Sequence, residues 1–383
     1  MGWRSMKKII VFTSDGAGGH TATTNALSAT LNDSYIIKPI NIYRDALGQV
    51  DFIKTITFGK TNGEIFYERC LTKKYYAFLN TLHSVGKWYF RRIQNRMAKI
   101  LEKFLIEEKP DLVISVVPLV DGAIVQATKK LGIPFILLPT DLDSTNYIHD
   151  INDPNFSQFV CTLPFEDIDI KKKLEPAQIP HAQVKVTGFP IRVDFFESKD
   201  HAQIKQQYQV HPSKPVVLLL MGSVGSNSLY TFAQQLSNVK NDMHLIICCG
   251  RYQAIKEKIG QIQFPKHISI TVVDFVQRIS DLMAISDLLI TKAGPVTMSE
   301  AMYMNLPMLV DLTSSTLSWE KLNYQFMQKR QFGDIITNTK NLSHQVSALL
   351  ESKDALQNMK NNLLSFEKKV GTSEVRKLIE GMI

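Results

Sequence analysis

Short, continuous apolar runs bounded by small or polar residues recur along the chain, with longer helical stretches between them. Lys8–Thr13 (KIIVFT), Tyr35–Ile40, Asp111–Val117 (DLVISVV) and Phe135–Leu138 form a first set. Val216–Met221, His244–Cys249, Ile270–Phe275, Leu288–Ile290 and Met308–Leu312 form a second. Runs of this length predict strands buried on both faces, as in a parallel sheet. Intervening helices then predict an α/β chain of doubly wound units. The polar, charged stretch from Glu197 to Lys214 reads as a linker and lead-in helix, and Gln345–Phe366 and Ser373–Met382 read as terminal helices. With 383 residues, two domains are expected.

Between residues 53 and 104 the character changes. Tyr75-Tyr76-Ala77-Phe78 and Lys87-Trp88-Tyr89-Phe90-Arg91-Arg92 interleave aromatic and basic residues. From Tyr89 the apolar positions Ile93, Met97, Ile100 and Phe104 keep helical spacing, while Arg92, Arg96, Lys99 and Lys103 lie off that stripe. A docked helix with a solvated basic face explains the stripe. The aromatic–basic cluster with Trp88, Arg91 and Arg92 is what an interfacial segment presents to anionic headgroups.

Net charge narrows the partners. The formal charge is +8, so a polyanionic surface is expected, either nucleic acid or anionic lipid. No recognised nucleic-acid motif is present, which leaves the lipid surface. No apolar run reaches membrane-spanning length, and Ile9–Phe12 is too short for a signal peptide, so a cytoplasmic, peripherally membrane-associated protein is expected. Met1-Gly2 resembles a myristoylation start, but Met6 stands where Ser or Thr is needed, and the residues before Lys7 read as an extension or an alternative start. Cys70, Cys161, Cys248 and Cys249 show no metal-ligand spacing and fit a reducing compartment.

Candidate chemistry sits at the ends of the predicted strands. After the first strand comes Ser14-Asp15-Gly16-Ala17-Gly18-Gly19-His20, with a helix expected from about Thr21. It is not a dinucleotide fingerprint: a third glycine is missing, and the second strand ends at Asn41 rather than at an acidic residue. The glycines let a ligand approach the backbone, and a histidine near a helix N-terminus is biased toward its neutral, proton-accepting form; a histidine merely capping the turn is the alternative. In the second half, Gly222-Ser223-Val224-Gly225-Ser226-Asn227-Ser228 follows a strand and can wrap backbone N–H groups around a diphosphate, or be only a tight connection. Gly294-Pro295 then opens a helix, Pro295–Met304, whose N-terminus suits an anion. Glu300, three residues after Thr297, and Glu320, beside Lys321 and Asn323, supply carboxylates that can accept hydrogen bonds from the vicinal hydroxyls of a nucleotide-sugar. Asp141-Leu142-Asp143 spells D-x-D, a metal motif that also arises by chance and lies in the half away from the nucleotide helix; no metal is expected.

These residues carry a resemblance. Thr291-Lys292-Ala293-Gly294-Pro295, Thr297 and Glu300-Ala301, followed by Glu320-Lys321-Leu322-Asn323, resemble the donor-site signature of glycosyltransferase family 28, especially its monogalactosyl-diacylglycerol synthase and diacylglycerol glucosyltransferase branch. Gly16 to His20 match the family's G-x-G-G-H turn, Thr140-Asp141-Leu142 its T-D-L element, and Thr187–Arg192 its G-x-P-I-R close of the first domain. Gly250-Arg251 resembles its C-G-R element, and Phe275-Val276 its G-F-V, with Asp274 in place of glycine. Leu317-Ser318-Trp319 replaces the family's P-G-Q, so the resemblance does not name the donor sugar.

The resemblance implies the GT-B architecture: two doubly wound Rossmann-like domains facing across a cleft, residues 7–192 and 193–365, with residues 366–383 returning to the first. It implies an inverting transfer of a hexose from a UDP-sugar to a membrane lipid, most simply diacylglycerol. His20 would be the base on the acceptor side, near Gly18 and Gly19, with Asp141 at the end of its strand facing the cleft. Gly222, Ser223, Gly225, Gly294, Pro295 and Thr297 would hold the diphosphate, Arg251, Phe275 and Val276 would line the base, and Glu300, Glu320, Lys321 and Asn323 would hold ribose and sugar. A MurG-type transfer to a peptidoglycan lipid precursor, a nucleotide-sugar 2-epimerase and a non-catalytic binder of UDP-sugar or lipid are the alternatives. Oligomeric state is not legible.

Overall fold

The computed structural model describes residues 6–15, 18–73, 75–222, 228–251, 253–314 and 316–383. They divide into two compact units. The first comprises residues up to Val193, together with Leu317–Trp319 and Lys368–Ile383; the second comprises Asp194–Thr316 and Glu320–Glu367.

The first unit is built on six parallel strands: β1 (Lys8–Thr13), β2 (Ile36–Asn41), β3 (Leu112–Ser115), β4 (Phe135–Leu137), β5 (Phe159–Leu163) and β6 (Val184–Val186), in the order β2-β1-β3-β4-β5-β6. The apolar runs of β1, β3 and β4 are buried, which is why they read as continuous stretches. Two strands lie outside the runs picked from the pattern. β5 (FVCTL) is fully buried, but Thr162 breaks its apolar run; β6 (VKV) is three residues long and alternates. The terminal helix Gly371–Met382 packs on α1 (Gly18–Leu31), where Arg376 pairs with Asp33 at 2.7 Å.

Three further helices follow β2. They are α2 (Phe52–Ile56), α3 (Gly63–Thr72) and the 33-residue α4 (Tyr76–Glu108), whose length corresponds to about 50 Å. The buried stripe of α4 is not centred where the sequence pattern put it. Met97 is buried as expected, but its companions are Gln94, Ala98, Leu101 and Leu105, while Ile93, Ile100 and Phe104 lie at the margins. A polar residue rotates the face: Gln94 is buried because its Nε2 donates to the Asp150 carbonyl at 2.8 Å and its Oε1 accepts from Asn152 at 3.2 Å. Gly122, opposite, has no room for a side chain, since a Cβ there would sit 2.4 Å from the Gln94 amide and 2.2 Å from the Asp150 carbonyl. Arg92, Arg96, Lys99 and Lys103 are exposed, as are Phe52, Phe58, Tyr75, Phe78 and Trp88, with Phe58 94% and Trp88 67% accessible. No helix among the described residues is long and apolar enough to cross a membrane.

The second unit repeats the plan with β7 (Val216–Leu220), β8 (Met243–Cys248), β9 (Ile268–Val273), β10 (Leu288–Lys292), β11 (Met308–Asp311) and β12 (Gly333–Ile336), all parallel, in the order β12-β11-β10-β7-β8-β9. Val217, Leu219, Leu245, Ile247, Leu288 and Ile290 fill its core with Phe232 and Leu236. Cys248 and Cys249 are free and buried, and burial pushes the Cys249 thiol up to about 11, so both act as core residues. The chain is a mixed α/β protein of two doubly wound sheets. In each sheet the strand order reverses once, between β1 and β3 and between β7 and β10, and ligands of such sheets collect outside the carboxyl ends of the strands at that reversal.

Candidate active site

At the reversal of the first sheet, β1 runs out through Ser14 and Asp15 toward α1. Gly16 and Ala17 lie outside the described residues. α1 begins at Gly18, three residues earlier than expected, so His20 is inside its first turn rather than ahead of it. Ser14 Oγ and His20 Nδ1 are 2.7 Å apart, and Thr24 Oγ1 donates to the His20 carbonyl at 2.8 Å, tying turn and helix together. Burial lowers the imidazole to about 4, so the ring is neutral at neutral pH. When Nδ1–H donates to Ser14, Nε2 keeps the free lone pair that a general base needs.

Asp141 follows β4 and is 8% exposed; Tyr147 Oη donates to its Oδ2 at 3.2 Å. Asp143, the other half of D-x-D, is occupied by Thr145, whose backbone N–H donates to Oδ1 at 3.1 Å, and by Lys173 at 3.0 Å. Among the described residues no three His, Cys, Asp or Glu side chains are grouped as metal ligands. Trp88, Arg91 and Arg92 lie exposed on α4.

One buried acidic group escaped the sequence reading. Asp121, in the first turn of the helix Asp121–Leu131, and Asp150 are both fully buried, and their carboxylate oxygens have no hydrogen-bond partner among the described residues. Burial holds Asp121 well above the usual carboxylate range and pushes Asp150 up to about 7. His149 Nδ1 stands 3.5 Å from Asp150, and burial, with Lys87 nearby, lowers its imidazole to about 4. No motif marks these residues; burial in the folded chain is what raises both aspartates.

At the reversal of the second sheet, Gly222 ends the segment after β7 with φ +85°, a left-handed backbone that favours glycine. Ser223 and Gly225 of the predicted diphosphate loop lie outside the described residues. The helix Pro295–Tyr303 starts after β10 with Gly294 as its N-cap and Pro295 in its first turn. Lys292, left without a role above, lies across this reversal: a Cβ on Gly222 would come 3.1 Å from its Cε and 3.6 Å from its Nζ. An ammonium thus stands beside the glycine turn and the positive end of a helix, all three suited to one anion. The lysine of the Thr-Lys-Ala-Gly-Pro run was the available signal.

Thr297 is partly exposed in the first turn of this helix, and Glu300 lies in its second turn, 7% exposed. Asn323, expected toward the sugar, uses its amide nitrogen within the protein. It is 1% exposed, and its Nδ2 donates to the Ala293 carbonyl at 2.9 Å, so it braces the turn that precedes the helix. Glu320 is the N-cap residue of the helix Lys321–Lys329, with Lys321 exposed beside it. Arg251 and Phe275, from separate elements, come together: the guanidinium carbon lies 4.7 Å over the ring centroid. Phe275 and Val276 line a pocket of about 560 Å³ with Tyr208, Lys256 and Asp274.

Residues 216–380 match the glycosyltransferase family 28 C-terminal domain, and residues 20–191 match monogalactosyldiacylglycerol (MGDG) synthase. A processive diacylglycerol beta-glucosyltransferase of Bacillus subtilis is 24% identical over 373 residues, 93% of this chain and 90% of that protein. One from Staphylococcus epidermidis is 26% identical over 385 residues, 98% of this chain and 92% of that protein. The crystal structure of Acinetobacter baumannii MurG superposes with a TM-score of 0.64 at 14% identity, covering 98% of this chain and 99% of that one.

Proposed function

From the premise that the chain belongs to glycosyltransferase family 28 and is a glycosyltransferase of GT-B fold, we propose that it transfers a hexose from a UDP-sugar to diacylglycerol at a membrane surface, with inversion at the anomeric carbon. One observation carries the substrate class: the likeness to diacylglycerol glucosyltransferases covers 93% and 98% of this chain and 90% and 92% of those proteins.

In this reading the second unit holds the donor. Gly222, Lys292 and the N-terminus of Pro295–Tyr303 receive the diphosphate, Arg251 and Phe275 take the base, Glu300 the ribose and Glu320 the sugar. The first unit supplies the base. The acceptor hydroxyl oxygen attacks the anomeric carbon, the bond from that carbon to the diphosphate oxygen breaks, UDP leaves with the electron pair, and the hydroxyl proton passes to His20 Nε2. An alcohol is a poor nucleophile at neutral pH, and a positioned base contributes about 10²–10⁴-fold. Fixed positive charge at the diphosphate does what a metal does elsewhere, so none is required. The exposed aromatics of α2–α4 and the basic residues Arg91, Arg92, Arg96 and Lys99 would meet an anionic lipid surface.

The test is thin-layer analysis of lipids after incubation with vesicles containing diacylglycerol and radiolabelled UDP-glucose, UDP-galactose or UDP-N-acetylglucosamine. Label in a glycosylated diacylglycerol is expected with one of the first two. Label absent from lipid with every donor, although UDP binds, would overturn the reading in favour of a binding protein.

A further inference from the structure

The turn that carries the candidate base is held from outside by a residue of α3. Glu64 stands in the first turn of α3, forty-nine positions from Asp15. Its Oε1 accepts the Asp15 backbone N–H at 2.8 Å. Its two oxygens also accept from the Asn41 side-chain amide at 3.1 and 2.9 Å. Asn41, at the end of β2 and 3% exposed, donates in turn to Asp15 Oδ2 at 2.9 Å, and Arg44 closes the group with a 2.5 Å contact to that same oxygen.

The arrangement gathers two carboxylates on one amide, with the Arg44 guanidinium on Asp15 beside them, and Glu64 keeps its negative charge at the start of its own helix while it reaches a distant peptide. Its result is local: the Asp15 N–H belongs to the Ser14–Asp15 peptide, and Ser14 is the residue that holds His20 Nδ1. A carboxylate accepting a backbone N–H makes a short, charge-assisted bond that fixes a peptide plane more tightly than a neutral partner. The same helix carries exposed Ile65 and packs through Phe66 on Phe78 of α4, within the segment that leaves Phe58, Tyr75 and Trp88 uncovered.

We propose that Glu64 is a positioning residue: by clamping the Ser14–Asp15 peptide it sets the Ser14–His20 hydrogen bond, and it makes that setting depend on how the exposed aromatic helices are seated on lipid. This inference rests on the reading of His20 as the base. Turnover then responds to a lipid surface even when the acceptor is not part of that surface, because seating α3 is transmitted to the turn through one side chain.

The full-length Glu64→Ala and Glu64→Gln variants test it, assayed with a diacylglycerol in phosphatidylcholine–phosphatidylglycerol vesicles and with water-soluble dibutyrylglycerol. Glu64→Ala is expected to lower kcat about 10–100-fold, with KM for the UDP-sugar, UDP affinity and vesicle binding unchanged. Glu64→Gln, whose carbonyl still accepts the Asp15 N–H, is expected to recover part of that loss. With dibutyrylglycerol, adding acceptor-free vesicles should raise the wild-type rate and leave the Glu64→Ala rate unchanged. Should the alanine variant fail to fold, the glutamine variant decides: a kcat reduced several-fold at wild-type melting temperature supports the clamp, and an unchanged kcat overturns it. A loss that follows vesicle binding or melting temperature also overturns it, as does a wild-type rate indifferent to added vesicles. Normal kcat in His20→Ala would remove the underlying reading, whereas an inactive His20→Ala beside a fully active Glu64→Ala would remove this inference alone.

Discussion

Ser14 Oγ and His20 Nδ1 lie 2.7 Å apart at the point where the first strand hands over to the first helix. The contact settles the imidazole in one orientation, and burial keeps the ring neutral, with its titration moved down to about 4. His20→Ala should lower kcat by about 10²–10⁴-fold with UDP affinity intact. Ser14→Ala, which removes one hydrogen bond worth about 1 kcal/mol, should lower it about fivefold. The pH profile carries the sign: the basic form is lost only as pH falls through the folded value, so kcat/KM should stay level from pH 8 down to about 5. The same depression means the unfolded chain binds the proton first below its ordinary 6.5, so His20 weakens the fold between about 6.5 and 4. Steady-state rates and melting curves across that range check both, and an inflection of kcat/KM near 6.5 would remove the desolvated base.

Asp150 gives a stability prediction of opposite sense. Its carboxyl titrates near 7 in the fold against 3.8 ordinarily, so the folded state holds a proton that the unfolded chain releases. Stability therefore falls as pH rises from about 4 to about 7, by up to about 4 kcal/mol. Asp150→Asn, of the same shape and uncharged, should raise the melting temperature at pH 8 and have little effect at pH 4.5. Equal shifts at both pH values would mean that the proton is not what the burial costs.

The two glutamates of the second unit should separate in binding. Glu300→Ala should weaken UDP itself, since ribose hydroxyls lose a charged acceptor worth about 1.5–3 kcal/mol. Glu320→Ala should weaken the intact UDP-sugar and leave UDP nearly unchanged. Calorimetry with both ligands checks the pair, and the reverse pattern would exchange their roles.

Lys292 beside Gly222 makes a claim about charge. Lys292→Met should weaken UDP about 10-fold or more while uridine binding stays the same, because only the diphosphate meets the ammonium. Activity of the unaltered enzyme should survive EDTA. Abolition by chelator and recovery with Mg²⁺ or Mn²⁺ would shift attention to Asp141 and Asp143 instead.

Much of this was legible in the residues. Continuous apolar runs located nine strands to within a few positions, and most of these are buried, because a strand covered on both faces leaves no room for alternation; β2 and β9 are the exceptions. The glycine turn at Gly222 and the helix start at Pro295 were legible too, since such turns and starts are local devices. What lay beyond the sequence depends on contacts between distant segments. Asn323 braces the turn at Ala293 because that carbonyl, distant in the chain, accepts from its amide. The buried face of α4 turned about Gln94 because the Asp150 carbonyl needed a donor. Asp121, Asp150 and Glu64 carry no signature at all: a carboxylate is raised, or made into a clamp, by what packs around it. Local geometry is written in local sequence, whereas desolvation and long-range hydrogen bonds exist only once the chain has folded.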